Sequence, residues 1–147
     1  MTNSTSLIDS LEIYVLNNPD EVKPHWVSHF IVPTANELLI KIKNKDGNSG
    51  FGLATSYSNI SPIIKPFSNG LADLIVGEDP FVPEKIYEKI FKLTDTRISN
   101  EKGWSKEALI RISAALDIAC WDLMGKSLNI PLYKLFGGYR NKVPVYV

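Results

Sequence analysis

Three things are scarce in this sequence, and each scarcity excludes a class of protein. There is a single cysteine, so no disulfide can form within the chain, and a reducing compartment is expected. Neither charge dominates, with 16 basic and 16 acidic side chains, so the chain lacks the basic surface of nucleic-acid-binding proteins. It also lacks an apolar run long enough for a signal peptide or a membrane span. We therefore expect a cytoplasmic protein with neither nucleic-acid nor membrane partners.

The most strongly patterned part of the sequence is residues 105–138. The chain has 147 residues, of which 44% are hydrophobic, which is enough for one core. Residues 105–138 supply the central helix of that core, because apolar residues recur there at the helical step of three or four. They are Leu109, Ile112, Leu116, Ala119 and Leu123. The opposite flank is also small or apolar, which predicts a helix that is covered on more than one side.

Two carboxylates interrupt this helix and point in different directions. Asp117 and Asp122 are five residues apart, and that spacing does not place an acid and a base on one helical face. Asp122 precedes Lys126 by one turn, which predicts a surface ion pair. Asp117 has apolar neighbours, so if it is buried it needs a partner from elsewhere in the fold. We interpret both carboxylates as structural.

Alternating apolar residues predict three antiparallel strands. Residues 11–16 and 37–44 each have a strongly apolar face, as half-buried strands do. The Asp-Gly pair that follows residues 37–44 is a strong hairpin signal and predicts that residues 49–56 return as a third strand. Gly50 and Gly52 fit either close backbone packing or a bulge. The segment around these two glycines is not a phosphate loop, because it has neither the third glycine nor the basic residue of that motif.

The segment between the first two predicted strands reads as a long loop rich in large rings, with a short extended piece around residues 27–31. Loops of this length are usually functional or disordered, and large rings argue against disorder. Trp26 and Phe30 either pack on the helices, with His25 and His29 solvated, or the loop contacts a ligand. A metal site formed by the two histidines requires a helix, which the preceding proline disfavours.

Tyr57 is the second candidate for contact with a ligand, because it follows the third predicted strand. A tyrosine in this place either covers the end of the core or touches a ligand. The residues alone do not decide between these two roles.

The remaining segments predict further helices and one last strand. A helix begins at Pro62, although Pro66 has no N–H and predicts either a kink or a start near Pro66. Another helix begins at Pro83. Residues 143–147 have the apolar pattern of a strand.

The motif that begins inside the central helix resembles that of a known family. The run ALDIACWDLMGK at 115–126, followed by IPLYKLFGGYR at 130–140, resembles the signature that closes the N-terminal capping domain of the mandelate racemase/muconate lactonizing branch of the enolase superfamily. Residues 77–80 resemble the family's Gly-x-Asp-Pro step between two helices, and residues 47–52 resemble its strand-turn-strand. Cys120 stands where the family more often has leucine.

The resemblance implies both a fold and a function. The fold is α+β, with a three-stranded antiparallel meander followed by a helical bundle over residues 1–140, similar to the enolase N-terminal domain. Residues 141–147 begin a (β/α) barrel that this sequence lacks. The implied function is the substrate-capping domain of an enzyme that removes the proton α to a carboxylate, as a racemase, cycloisomerase or acid-sugar dehydratase. Such enzymes use Mg²⁺ to stabilise an ene-diolate; the metal ligands and the catalytic residues are expected in the barrel, and this chain alone is expected to be inactive.

The resemblance also assigns a role to the ring-rich loop. In this family the loop after the first strand folds over the mouth of the barrel and helps to choose the substrate. His25, Trp26, His29 and Tyr57 are therefore candidate contacts for a small carboxylate substrate. The alternative is a stand-alone binding or self-association module that uses the apolar surface a barrel covers. We expect a homo-oligomer.

Overall fold

The computed structural model describes residues 6–16, 25–32, 36–57, 59–140 and 142–146. An antiparallel sheet of three strands packs there against a layer of helices, as predicted. The strands are β1 (Ile8–Leu16), β2 (His25–Val27), β3 (Phe30–Val32), β4 (Asn36–Asn44) and β5 (Ser49–Ser56). The helices are α1 (Ser61–Ser68), α2 (Pro83–Phe91), α3 (Arg97–Lys102), α4 (Lys106–Ser127) and α5 (Leu132–Leu135), with short 3-10 turns at Ala72–Leu74 and Lys92–Asp95.

The main sheet has the order β1-β4-β5, and the side chains on its inner face are large on the central strand and small on the edge strand β5. Ile13, Ile40 and Gly52 lie side by side in the register of the three strands. The inward residues of β4 are large and fully buried: Leu38, Ile40 and Ile42. Those of β5 are small: Gly50, Gly52 and Ala54. The sheet therefore leaves room for a helix to approach closely over β5.

Helix α4 fills that room. It begins directly after Ser105, whose Oγ accepts a hydrogen bond from the Ala108 N–H (3.1 Å) and thereby caps the first turn. A Cβ at Gly52 would lie 1.9 Å from the Ala115 carbonyl oxygen, so only glycine fits there. The pairing of β4 with β5 has no register shift. Close packing, and not a bulge, therefore explains the two glycines.

The prediction that α4 is covered on more than one side is confirmed, since neighbouring elements cover two of its sides. One side lies on β5, and another packs against α2, where Ile86 and Ile90 are buried. A third side remains open, because Ile110 and Ile118 are 40% and 54% exposed. Neither α4 nor any other helix in the described ranges is long and apolar enough to cross a bilayer.

Helix α1 matches one of the two sequence alternatives, and helix α3 differs from the sequence prediction. Helix α1 runs from Ser61 to Ser68 with Pro66 inside it, so it begins beside Pro62 as predicted and not near Pro66. Helix α3 was not predicted, because its sequence is polar and has no apolar period. Local capping defines it instead: Thr96 Oγ1 accepts from the Ser99 N–H (3.3 Å), and the helix ends at Gly103 with φ +64°.

The strand predicted at residues 143–147 is not formed at residues 142–146. This segment has no strand pairing among the described residues, and Val143 and Val145 are 68% and 78% exposed. A strand needs a hydrogen-bonding neighbour, and none of the described strands lies beside it. The division of the chain at residues 140 and 141 stays a prediction.

Candidate functional site

Tyr57 lies at the junction between the end of β5 and the first turns of α4. The guanidinium carbon of Arg111 is 5.8 Å from the centre of the Tyr57 ring. Arg111 Nη1 donates to the Thr55 carbonyl (2.5 Å), and Nε and Nη2 donate to Glu107 Oε1 (3.1 and 2.8 Å). Tyr57 is 46% exposed. Tyr57 is therefore an exposed residue beside a cation that Glu107 and Thr55 hold in place, and its role as a ligand contact stays a prediction.

A small polar crevice of about 70 Å³ opens at the same junction. Its lining includes Ser56, Asn59, Glu107 and Arg111. Ser56 Oγ donates to the Asn59 carbonyl (3.0 Å), and Asn59 Oδ1 accepts from the Ser61 N–H (2.9 Å). These bonds fix the short connection between β5 and α1. The crevice can thus offer hydroxyl, carboxylate and guanidinium groups to a small polar molecule.

The ring-rich segment forms a hairpin, not the loop with one extended piece that the sequence predicts. Strands β2 and β3 pair with Trp26 opposite Ile31, and Ser28 at the turn has φ 51°, a left-handed conformation. Trp26 is 71% exposed and His29 is also exposed. The alternative in which Trp26 packs on the helices is therefore wrong, and its ring is available to another molecule or segment. The side chain of His25 lies outside the part that the structure describes.

The four candidate contacts fall into two groups, one on the β2–β3 hairpin and one beside α4. In the ranges that the structure describes, no hydrogen bond, ion pair or ring contact joins Trp26 or His29 to Tyr57. Whether the two groups meet on one substrate stays a prediction.

The ion pair predicted between Asp122 and Lys126 is confirmed, and it also closes the outer edge of β5. Asp122 Oδ2 accepts from Lys126 Nζ and from the Phe51 N–H (2.9 Å). Lys126 Nζ donates to the Ser49 carbonyl (3.0 Å) and lies 4.6 Å from the centre of the Phe51 ring. Backbone groups of an edge strand otherwise invite pairing with another chain. Both side chains are therefore structural.

Asp117 has no such partner. Arg111, its nearest basic residue in sequence, is bound to Thr55 and Glu107 instead. Asp117 is half-buried, and among the described residues it forms no hydrogen bond or ion pair. Burial, and to a smaller degree the charge of Glu84, raises the pKa of its carboxyl group above the usual value. Asp117 is thus a half-buried carboxylate that no described basic group compensates.

The chemistry of the described residues does not fit a magnesium site. No three His, Cys, Asp or Glu side chains among them are grouped so that they could hold a metal ion, whereas Mg²⁺ is bound mainly by oxygen ligands gathered around it. No chemical step is therefore assigned to a metal held by these residues.

Sequence reasoning missed the role of Arg111 and Glu107. The spacing of four residues on a helix does signal an ion pair between them. The bond from Arg111 to Thr55 links positions 56 residues apart, and no local pattern reveals such a contact. The basic character of the Tyr57 environment therefore emerges only from the fold.

Comparison with known proteins gives a family and two related enzymes. The sequence profile described as "Mandelate racemase / muconate lactonizing enzyme, N-terminal domain" matches residues 10–137. The chain is 33% identical over 126 residues to L-Ala-D/L-Glu epimerase of Clostridium acetobutylicum, covering 82% of this chain and 32% of that protein. It is 31% identical over 109 residues to L-talarate/galactarate dehydratase of Salmonella typhimurium, covering 74% of this chain and 26% of that protein.

A solved structure shows the same fold. It is a mandelate racemase/muconate lactonizing enzyme from a marine actinobacterium in complex with magnesium, and it matches with a TM-score of 0.69 and 23% identity. The match covers 94% of this chain and 34% of that protein. The chain therefore spans about a quarter to a third of the length of the proteins it resembles.

Proposed function

Because this chain belongs to the mandelate racemase/muconate lactonizing enzyme family, as its N-terminal domain, we propose that it caps the substrate of an enzyme that removes the proton α to a carboxylate. The observation that carries this proposal is the family match over residues 10–137. Two relatives are an epimerase and a dehydratase, and both reactions can begin with loss of that proton. Enzymes of the enolase superfamily share this first step and stabilise the resulting ene-diolate.

The metal and the acid and base residues are proposed to lie outside this chain. The matching enzymes are about two and a half to three times as long as this chain, since the matched parts, 74% and 82% of this chain, make up only 26% and 32% of the two enzymes. When bound there, Mg²⁺ stabilises the negative charge that develops on the substrate. The isolated chain, residues 1–147, is accordingly proposed to be inactive. Its own contribution is to cover and select the substrate.

The β2–β3 hairpin and the junction at Tyr57 are proposed to make that selection. Trp26 and His29 are exposed on the hairpin, so their rings can cover a bound molecule and exclude water from it. Tyr57 stands beside the Arg111 guanidinium, and its hydroxyl can donate a hydrogen bond to a small carboxylate substrate. His25 is proposed to belong to the same surface.

The capping role can be tested in the polypeptide encoded by the complete reading frame. Trp26→Ala and Tyr57→Ala should change the ratio of kcat/KM values across a panel of acid sugars and dipeptides, because they alter the walls of the site. Phe81→Ala is the matched control, since Phe81 is 38% exposed but lies in the loop before α2, outside the hairpin and the Tyr57 junction. An unchanged order of substrates in both variants contradicts the capping role.

The outer face of the sheet supports a second proposed function, self-association into a homo-oligomer. Tyr14, Leu39 and Leu53 lie in one row across the three strands, and Tyr14 and Leu53 are each 45% exposed. Contiguous apolar patches of this kind often mark interfaces. Light scattering on the purified chain should show a dimer that Leu53→Lys dissociates and that Ile98→Lys, on helix α3 and away from this face, leaves intact. A monomeric wild-type chain contradicts this function.

A further inference from the structure

Helix α4 presents an apolar face that no described element covers. Ile110, Ala114 and Ile118 follow one another at steps of four and are all exposed. Trp121 continues the row, and its ring centre lies 4.9 Å from that of Phe136, which is 64% exposed. We call these five residues the α4 face. Large apolar side chains that are exposed together on one side of a helix are typical of a docking surface.

The charges around the α4 face are unequal on its two flanks. On the flank toward β5, Arg111 is already bound to Thr55 and Glu107. On the flank toward α2, Asp117 is half-buried and lies near Glu84, another carboxylate. Neither carboxylate has a cation beside it in the described parts of the chain. A surface that docks here must therefore bring a positive charge to the α2 flank, because burying Asp117 further without a cation is costly.

We propose that the α4 face packs against the part of the full-length polypeptide that follows residue 147, and that this part supplies a lysine or arginine, surrounded by apolar side chains, to Asp117. This inference rests on the proposed function. The contact between Trp121 and Phe136 supports it, since that contact brings the exposed segment after α5 to the end of this face. The chain therefore leaves α5 beside this surface.

A second copy of the chain fits this face less well. In a symmetric dimer the same patch lies on both sides, so two α2 flanks that each carry Asp117 and Glu84 are brought into one interface. Arg111 is the basic residue nearest to Asp117 on α4, and its donors are engaged on the opposite flank. Charge complementarity thus favours a partner with a different surface.

The test compares the same substitutions in two polypeptides, the isolated chain and the product of the complete reading frame. In the isolated chain, Asp117→Asn should raise the melting temperature at neutral pH, because it removes a carboxylate that the fold disfavours. In the longer polypeptide the same change should lower the melting temperature, because it removes the partner of a buried cation. Asp9→Asn is the control, since Asp9 is exposed on β1 and should shift neither value.

A second pair of variants tests the apolar part of the face. Ile118 and Ile98 are both 54% exposed, so Ile118→Glu and Ile98→Glu should be equally tolerated in the isolated chain. In the longer polypeptide only Ile118→Glu should lower the melting temperature and increase hydrogen exchange over residues 106–127. These readouts do not depend on catalysis.

The possible outcomes separate this inference from the proposed function. If the longer polypeptide removes α protons but Asp117→Asn has the same sign of effect in both polypeptides, the inference is wrong and the proposed function stands. If Ile118→Glu and Ile98→Glu behave alike in the longer polypeptide, the inference is also wrong. A reading frame that stops at residue 147 overturns both.

Discussion

Gly52 of β5 lies so close to the Ala115 carbonyl of α4 that a Cβ on the glycine would be 1.9 Å from that oxygen. The same approach repeats one step further, where a Cβ on Gly50 would be 2.0 Å from the Ala119 oxygen. Two strand residues rise about 6.6 Å, and four helical residues rise about 6 Å. The spacing of the two glycines along the strand therefore matches the spacing of the two alanines along the helix. The glycine pair thus sets how closely the central helix packs on the sheet.

The first prediction concerns this close approach. Gly52→Ala should destabilise the fold by at least about 3 kcal/mol, because a methyl group cannot displace the backbone of a buried helix cheaply. Chemical denaturation of the purified chain measures this loss. Gly47→Ala is the control, since Gly47 has φ +89° and open space around it, so its cost is limited to roughly 1–2 kcal/mol of backbone strain. A smaller loss for Gly52→Ala than for Gly47→Ala contradicts the packing described above.

The second prediction concerns the edge of β5. Asp122→Ala should cost roughly 1–3 kcal/mol, because it removes a charged acceptor from the Phe51 N–H and the partner of Lys126. The free energy of unfolding from urea titration is the measurement. Glu88→Ala provides the comparison, because the ion pair of Glu88 with Lys92 is exposed on both sides and is expected to contribute less than about 0.5 kcal/mol. Equal losses in the two variants would show that Asp122 is an ordinary surface charge.

The third prediction concerns the pH dependence of stability. Glu78 accepts from Lys89 (2.6 Å) and pairs with Lys85 (2.9 Å), and the bond from Lys89 is the main cause that lowers the pKa of Glu78 below its usual 4.5. The stabilisation is therefore complete above the unfolded-state pKa and disappears as the pH falls through the lower pKa of the folded state.

Glu78→Gln should accordingly cost roughly 0.5–1 kcal/mol at neutral pH, and the difference from wild type should shrink as the pH falls below about 4.5. Thermal unfolding across this pH range measures the effect. Glu101→Gln, which removes an exposed pair with Arg97, should show little difference at any pH. A loss for Glu78→Gln that persists at low pH contradicts the electrostatic origin of the effect.

The fourth prediction concerns the single thiol. Cys120 is fully buried, and burial raises the pKa of its thiol to about 12. Since the thiolate is the reactive form, a thiol reagent should label the folded chain at least about 1,000-fold more slowly than the denatured chain, provided that the fold is stable by about 5 kcal/mol. Rapid labelling under native conditions means that the centre of α4 is open to solvent.

Much of the fold could be predicted from the sequence because its signals are local. The alternation in β4, the Asp-Gly turn before β5 and the Ser105 cap of α4 are each encoded within a few residues, and the structure confirms them. The ion pair between Asp122 and Lys126 followed from helical spacing in the same way. The segment that became α3 lacked any apolar period, so only its caps could have revealed it.

Less of the candidate site could be predicted, because its parts meet across the sequence. The contact of Arg111 with Thr55 joins α4 to the end of β5, and no spacing within either segment reveals it. The exposed side of α4 could not be predicted either, because Ile110 and Ile118 are apolar and therefore look like core residues in the sequence. Only the positions of the neighbouring elements show that no described residue covers them.

Exchange of the substrate's α proton with solvent deuterium, followed by NMR, tests the central claim most directly. The polypeptide from the complete reading frame, supplied with Mg²⁺, should exchange or remove the α proton of at least one acid sugar or dipeptide, and the isolated chain should leave the same compounds unchanged. Exchange catalysed by the isolated chain, or a longer polypeptide that processes none of these carboxylates, contradicts the claim that this domain caps such an enzyme.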